Sequence, residues 1–367
     1  MTMKRILSAL FAFTFLFGVV PAEASASDGE GFVFEPDPGL IDMTKTRKTS
    51  DITIRDPFVL VFGQKYFMYG TGAAAGPGYG CYVSEDLENW AGPVNVFTAP
   101  DGFDGNGCYW APECHYYNGN FYLFATYLSR STMRRGVSVF RSQSPLGPFE
   151  EITGGHITPF DWDSIDGTLY IDGDGQPWMV FVHEWTSTVD NIGTMAAAKL
   201  NGDFTAFIGD PVELFKADDP VWLNGKVTDG PFLYKTKNGR LLMLWSNFNS
   251  QGYCVARSFS RNGEITGGWY HGVAPLYAKN GFFDLEGGHA MLFTDLDGRL
   301  LMCMHSPNKS SETVHETAVF LEVVDTGNSL ELAQIRQLGL FKRLAIAFSD
   351  FLREAADRFR SWIRDIV

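Results

Sequence analysis

Between positions 51 and 324 the apolar residues fall into short runs bounded by Gly, Pro, Asn or Asp, with no sustained helical period. Runs of this length with turn residues between them read as strands. The clearest unit is residues 227–246, V-T-D-G-P-F-L-Y-K-T-K-N-G-R-L-L-M-L-W-S. A carboxylate on a Gly-Pro bend is followed by a strand, an Asn-Gly turn and a second strand, which is a β-hairpin with an acid at its mouth. Residues 286–306 restate it, E-G-G-H-A-M-L-F-T-D-L-D-G-R-L-L-M-C-M-H-S, with Asp297-Gly298 in the turn. Looser copies open at Arg55 (R-D-P-F), Trp110 (W-A-P-E) and Ile165 (I-D-G). Aligned on Asp56, Glu113, Asp166, Asp229 and His289, the copies lie 57, 53, 63 and 60 residues apart.

Five like units predict a repeat architecture, and four-stranded sheets set around an axis make a β-propeller. The expected class is all-β: a five-bladed β-propeller over residues 51–335. The hairpin after each acid supplies the inner strands, and the next run, 137–141 or 252–259, supplies an outer one. Equivalent positions at the start of each innermost strand face the axis, so groups far apart in sequence converge on one pocket. Residues 27–50 read as an extended lead-in. In residues 339–367, Phe341, Leu344, Phe348, Leu352, Phe359, Trp362 and Ile366 recur at helical spacing and predict a C-terminal amphipathic helix. Its mixed-sign polar face suits packing on the propeller flank or on a second copy, making an oligomer, better than it suits a membrane surface.

The N-terminus changes the setting. Lys4-Arg5, an apolar run over residues 6–20 and then P-A-E-A-S-A-S have the order of an export signal spanning 1–26, with cleavage after Ala24 or Ala26. The apolar run is short for a membrane span, so the expected location is secreted or periplasmic. A net charge of −14 excludes nucleic acid as a partner. The five Cys give no even framework: Cys108 and Cys114 are candidates to pair across the Trp110 bend, whereas Cys254 and Cys303 sit in apolar strands as buried thiols.

Axis-facing carboxylates beside aromatics point to a carbohydrate substrate. Glycoside hydrolysis needs one carboxylate as base and a second carboxyl as acid, and Asp56, Asp166 and Asp229 are the catalytic candidates. One Asp before Gly or Pro is ordinary turn chemistry; three at repeat positions ask for more. Arg55 stands where it can keep Asp56 charged. Trp110 reads as a sugar-stacking platform or a core aromatic, Glu113 as a hydroxyl ligand or a bend cap, and Glu184 as a pocket group or a rim ion pair. His289 occupies the fifth acid-equivalent position, where it can bind an ion or a water.

In order and spacing, R-D-P-F, W-A-P-E, I-D-G, D-G-P-F-L-Y and G-G-H resemble glycoside hydrolase family 43 over roughly residues 51–334. The resemblance implies a five-bladed β-propeller and an inverting glycosidase acting on arabinose, xylose or galactose linkages of plant-type polysaccharide. It implies Asp56 as general base, Asp166 as the group that orients the acid and tunes its pKa, Asp229 as the acid, and His289 beside a central calcium. Two departures stand out: the family's usual acid is Glu in Glu-Gly-Pro, and the C-terminal helix lies outside its pattern. A carbohydrate-binding propeller without catalysis, or another five-bladed sugar hydrolase or phosphorylase, is the alternative. The sugar, the linkage and endo or exo action depend on loops such as 72–80 and 101–107, which the repeat leaves free.

Overall fold

The computed structural model describes residues 32–338 except 312, together with 342, 346 and 352. The export signal and almost all of the C-terminal helix expected from sequence lie outside the described residues. The rest is five antiparallel sheets. Blade 1 holds β1 (Thr46–Lys48), β2 (Arg55–Phe62), β3 (Lys65–Thr71), β4 (Gly78–Ser84) and β5 (Asn89–Thr98). Blade 2 holds β6 (Trp110–Tyr117), β7 (Asn120–Leu128), β8 (Arg135–Ser142) and β9 (Glu150–Glu151). Blade 3 holds β10 (Ser164–Ile171), β11 (Pro177–His183), β12 (Thr194–Leu200) and β13 (Phe207–Lys216). Blade 4 holds β14 (Asp229–Lys235), β15 (Leu241–Asn249), β16 (Gly252–Ser260) and β17 (Trp269–His271). Blade 5 holds β18 (Gly288–Thr294), β19 (Leu300–Ser306), β20 (Thr317–Asp325) and β21 (Leu330–Leu332), and a short helix α1 (Ala333–Arg336) follows. Strands β2, β6, β10, β14 and β18 contact one another in sequence, and β18 returns to β2, so the ring is closed.

Five separate apolar clusters fill the five spaces between blades. This is why the second strand of a blade reads as an unbroken apolar run: both of its faces are covered, and successive side chains go to opposite sides. Along β15, Leu241, Met243 and Trp245 enter the core shared with blade 3, whereas Leu242 and Leu244 enter the core shared with blade 5.

The lead-in contributes more than a tether. Its β1 pairs with β5 and gives blade 1 a fifth strand, where four were expected. Blade 5 is built from consecutive strands, so the two ends of the chain share no sheet. Closure instead uses hydrogen bonds from Ile54 N–H to the Glu316 carbonyl (3.0 Å) and from Thr317 Oγ1 to the Thr49 carbonyl (2.7 Å). All five cysteines are free thiols, Cys108 and Cys114 included; Cys254 and Cys303 are buried. No helix among the described residues is long and apolar enough to cross a membrane.

Candidate active site

Each inner strand slips register near its start. Arg55 pairs with Thr71 but Phe58 with Tyr69, and the same shift occurs at Trp110/Glu113, Ile165/Thr168, Asp229/Phe232 and Gly288/Met291. The extra residue is left-handed in every blade: Asp56 (φ +52°), Ala111 (+42°), Asp166 (+56°), Gly230 (+50°) and His289 (+54°). A bulge re-aims the side chain it carries, and non-Gly residues rarely take this conformation. Three of the four non-Gly occupants are titratable, and those three meet at the axis.

This backbone register corrects the alignment drawn from the sequence. In blade 2 the equivalent residue is Ala111, not Glu113; in blade 4 it is Gly230, not Asp229, which stands one residue earlier opposite Ser246. Matching by acid type misplaced both, because the chain repeats the bulge and not the carboxylate.

A bulge frees a backbone N–H, and a buried N–H needs a partner. The residue opposite the strand start in the preceding blade supplies one. Ala111 N–H donates to Thr71 Oγ1 (2.8 Å), Asp166 N–H to Thr126 Oγ1 (3.1 Å), His289 N–H to Ser246 Oγ (2.8 Å) and Asp56 N–H to His305 Nδ1 (3.2 Å). Blade 3 offers Val182 at this position, so Gly230 N–H donates to Asp166 Oδ2 instead (2.9 Å).

Gly is required at two close approaches between blades 4 and 5. A Cβ on Gly230 would lie 2.7 Å from the His289 ring, and one on Gly288 would lie 2.4 Å from the Tyr253 ring. These contacts explain the D-G-P and G-G-H motifs physically: the backbone of blade 4 leans on the blade 5 imidazole, and that of blade 5 leans on the blade 4 phenol.

The side chains form a chain of contacts across the axis. Asp56 Oδ2 accepts from Thr71 Oγ1 (2.6 Å), and its Oδ1 lies 3.1 Å from His289 Nδ1. The same nitrogen is 3.7 Å from Asp166 Oδ2. Asp229 Oδ2 accepts from the Tyr253 hydroxyl at 3.0 Å. Asp166 and His289 are buried, whereas Asp56 and Asp229 keep a share of solvent.

Environment splits the three carboxyls. Burial works to raise Asp56, but His289, His305 and Arg55 outweigh it and hold the group well below the usual carboxylate range. Burial raises Asp166 to about 6, with His289 opposing and Asp56 adding. Burial raises Asp229 to about 7, the Asp166 charge adding to it while His289 and the Tyr253 hydroxyl oppose. His289 is itself raised to about 10, because Asp56 and Asp166 outweigh the burial that would lower it. His305, wholly buried, falls to about 4 and is neutral. At neutral pH the axis thus presents two carboxylates, Asp56 and the mostly ionised Asp166, and one carboxyl, Asp229, that still carries a proton in a large share of molecules, so a base and an acid are both present.

The other expected site residues divide. Trp110 lies under the Arg135 guanidinium, 5.8 Å from ring centre to Cζ. Arg135 also binds Glu184 (Nε to Oε2, 2.5 Å) and faces Asp163 (3.5 Å). Burial raises Glu184, with Asp229 among the charges acting on it, while Arg135 opposes. Trp110, Arg135 and Glu184 therefore form one wall beside Asp229. Arg55 acts on Asp56 through space; its hydrogen bonds go to Glu316 (2.5 Å) and the Asn308 carbonyl (2.6 Å). Glu113 is 4% exposed with His115 Nε2 at 3.3 Å, which leaves it under the site and not on its surface. Calcium takes six to eight oxygen ligands, whereas His289 offers a ring nitrogen that already faces Asp56 and Asp166. Among the described residues no group of three or more His, Cys, Asp or Glu is placed to hold a metal. These residues do not fit a directly ligated calcium, and no step below uses one.

Sequence reasoning missed Thr71, Arg135, Tyr253 and His305. Thr71 and His305 carry a positional signal, since they face the strand start in their blades. Tyr253 carries a weaker one, following the tight turn between β15 and β16.

The model of glycosyl hydrolases family 43 matches residues 49–325. An extracellular endo-α-(1→5)-L-arabinanase of Bacillus subtilis is 26% identical over 258 residues, 66% of this chain and 73% of its own. An extracellular exo-α-(1→5)-L-arabinofuranosidase of Cellvibrio japonicus is 26% identical over 265 residues, 66% of this chain and 71% of its own. The crystal structure of an endo-arabinase from Bacteroides thetaiotaomicron superposes with a TM-score of 0.70 at 35% identity, covering 77% of this chain and 99% of that one. A closed five-bladed ring, carboxyls of unlike protonation at its axis and a family match across all five blades lead to one conclusion: the chain belongs to glycosyl hydrolases family 43 and is a glycosidase.

Proposed function

We propose that the protein is an exported enzyme that hydrolyses α-1,5-linked L-arabinofuranosyl chains with inversion at the anomeric carbon. The observation that carries this reading is the unlike protonation of Asp56 and Asp229 around one axis. Asp56 accepts a proton from water as the water oxygen attacks the anomeric carbon. Asp229 gives its proton to the leaving oxygen as the glycosidic bond breaks. One proton enters at Asp56, one leaves from Asp229, and solvent restores both. Asp166 holds the bend beside Asp229 through the Gly230 N–H and keeps the acid's pKa high by its own charge. His289 stays protonated and keeps Asp56 ionised.

Inversion is supported by the match to glycosyl hydrolases family 43, which the sequence motifs also resemble. Inverting enzymes leave room for a water between base and acid, at roughly 6.5–9.5 Å. Arabinan as substrate is supported by the names of the relatives. Export is supported by the order of charge, apolar run and small residues in 1–26, and the intact mass of exported protein tests it.

Proton NMR of a fresh digest of linear α-1,5-arabino-oligosaccharide tests the mechanism. The first-formed reducing end is expected with the anomeric configuration opposite to that of the bond cleaved. Retention overturns inversion. Turnover of xylan or galactan without turnover of arabinan overturns the substrate.

A further inference from the structure

We infer that Val182 is a positioning residue for the acid: by withholding a hydroxyl, it commits Asp166 to the backbone bend that carries Asp229. The inference rests on the acid–base reading above and assigns the origin of its acid geometry.

The other four blades define what Val182 replaces. Thr71, Thr126, Ser246 and His305 each face the first residue of their own inner strand, and each accepts the N–H freed by the bulge of the next blade. Val182 faces Ile165 in the same register, is 1% exposed and lies in the apolar core between blades 3 and 4. It offers no acceptor to Gly230. Leaving that buried N–H unpaired would be costly, and Asp166 Oδ2 meets it at 2.9 Å. Gly230 directly follows Asp229, so this bond fixes the backbone from which the acid projects. Aspartate is one methylene shorter than glutamate, so it has less side chain with which to correct a misplaced backbone.

Blade 1 indicates what a hydroxyl would do here. Thr71 Oγ1 accepts the Ala111 N–H and donates to Asp56 Oδ2, standing between an amide and a carboxylate. Val182→Thr puts a hydroxyl of nearly the same shape in the corresponding place. It is expected to accept the Gly230 N–H and donate to Asp166, so that the carboxylate no longer holds the bend directly.

Val182→Thr is compared with Val182→Ala, which loosens the packing without adding a hydroxyl. Two substrates are used: an arabino-oligosaccharide, whose leaving group needs protonation, and dinitrophenyl α-L-arabinofuranoside, whose leaving group does not. Val182→Thr is expected to lower kcat on the oligosaccharide about tenfold or more and to change kcat on the aryl substrate by no more than about threefold, with KM little changed on both. Val182→Ala is expected to lower the Tm and leave the ratio of the two kcat values at the wild-type level. Equal ratios in the two variants overturn the inference, as does wild-type kcat on both substrates in Val182→Thr. Val182→Ser is the fallback if Val182→Thr does not fold, with the same expected selectivity. A crystal structure of whichever hydroxyl variant folds reads the contact directly. The new hydroxyl within hydrogen-bond distance of the Gly230 nitrogen supports the inference; Asp166 retaining that N–H overturns it. A wild type inactive on both substrates counts against the proposed function, and the crystallographic contact still decides the role of Val182.

Discussion

Asp56 and Asp229 stand at the inner-strand starts of blades 1 and 4, which blade 5 separates in the ring, and both are mostly enclosed, yet their protonation is opposite. Around Asp56 the neighbours are an imidazolium, a second imidazole, a guanidinium and the Thr71 hydroxyl, and the carboxylate is held charged. Around Asp229 they are a neutral phenol and a second carboxyl, and the group keeps its proton to about pH 7. Depth in the protein does not decide which of the two carboxyls is ionised; the charge of what is buried alongside does. The two sides also pull stability in opposite directions with pH. Asp56 is depressed in the folded state, so its contribution is present above the ordinary carboxylate range and is lost as pH falls through and below it. Asp166 and Asp229 are raised, so they favour the fold at acid pH, and that contribution is lost as pH climbs to about 7.

The largest effect expected from this contrast is its kinetic signature. Asp56→Asn should lose about 10⁴-fold in kcat on arabino-oligosaccharide and on a dinitrophenyl glycoside alike, because both need an activated water. Asp229→Asn should lose about 10³-fold on the oligosaccharide and only about tenfold on the activated substrate, because only the first needs a proton on its leaving oxygen. Selective loss in Glu184→Gln, with Asp229→Asn unselective, would move the acid to Glu184. Asp229 is favoured because its partner is a phenol, whereas Glu184 must weaken its bond to Arg135 to take up a proton.

The same contrast marks what the sequence made legible. The turn dipeptides, the doubly covered runs such as Leu241 to Trp245 and the acids beside Gly or Pro lie within single hairpins, and together they led to the blades and to Asp56, Asp166 and Asp229. The bulge register was not legible, because a one-residue shift leaves no compositional trace where Ala111 or Gly230 fills the position. The residues that decide protonation were not legible either. Tyr253 comes from β16, outside the hairpin motifs, and His305, though it closes the fifth hairpin, belongs to a different blade from Asp56; each matters only because the ring brings its strand to the carboxyl it meets.

A smaller effect should follow from closing the gap between the sides. Gly230 is the point where the acid's backbone rests on the imidazole that serves the base. Gly230→Ala combines a left-handed β-carbon, costing about 1–2 kcal/mol, with close contacts to the His289 ring and Cα that only a shift of His289 or of the blade 4 backbone can relieve. Activity is expected to fall about 10²-fold and Tm by about 5 °C. Gly239→Ala separates strain from contact, since Gly239 has φ +79° and open space around it; it should lower Tm slightly and leave kcat as it was. Equal kcat losses in the two variants would show that the packing against His289 is immaterial.

The smallest effect tests the acid side alone. The Tyr253 hydroxyl donates to Asp229 Oδ2 and so favours the ionised acid, against the stronger push of burial and of Asp166. Activity on the oligosaccharide should fall as pH rises through about 7, where Asp229 loses its proton. Tyr253→Phe removes a donor to the charged form and leaves the ring stacked over His305, whose centroid is 5.7 Å away. The protonated acid is then relatively more stable, so the alkaline limb of kcat/KM should move up by about half a pH unit to one unit. The maximal kcat should fall a few-fold, because the carboxyl has lost the bond that fixes its rotation. A purely structural role for Tyr253 would lower kcat and leave the limb in place. A limb that moves down would mean that the hydroxyl serves the protonated acid, and that Tyr253 accepts from Asp229 during the reaction instead of donating to it.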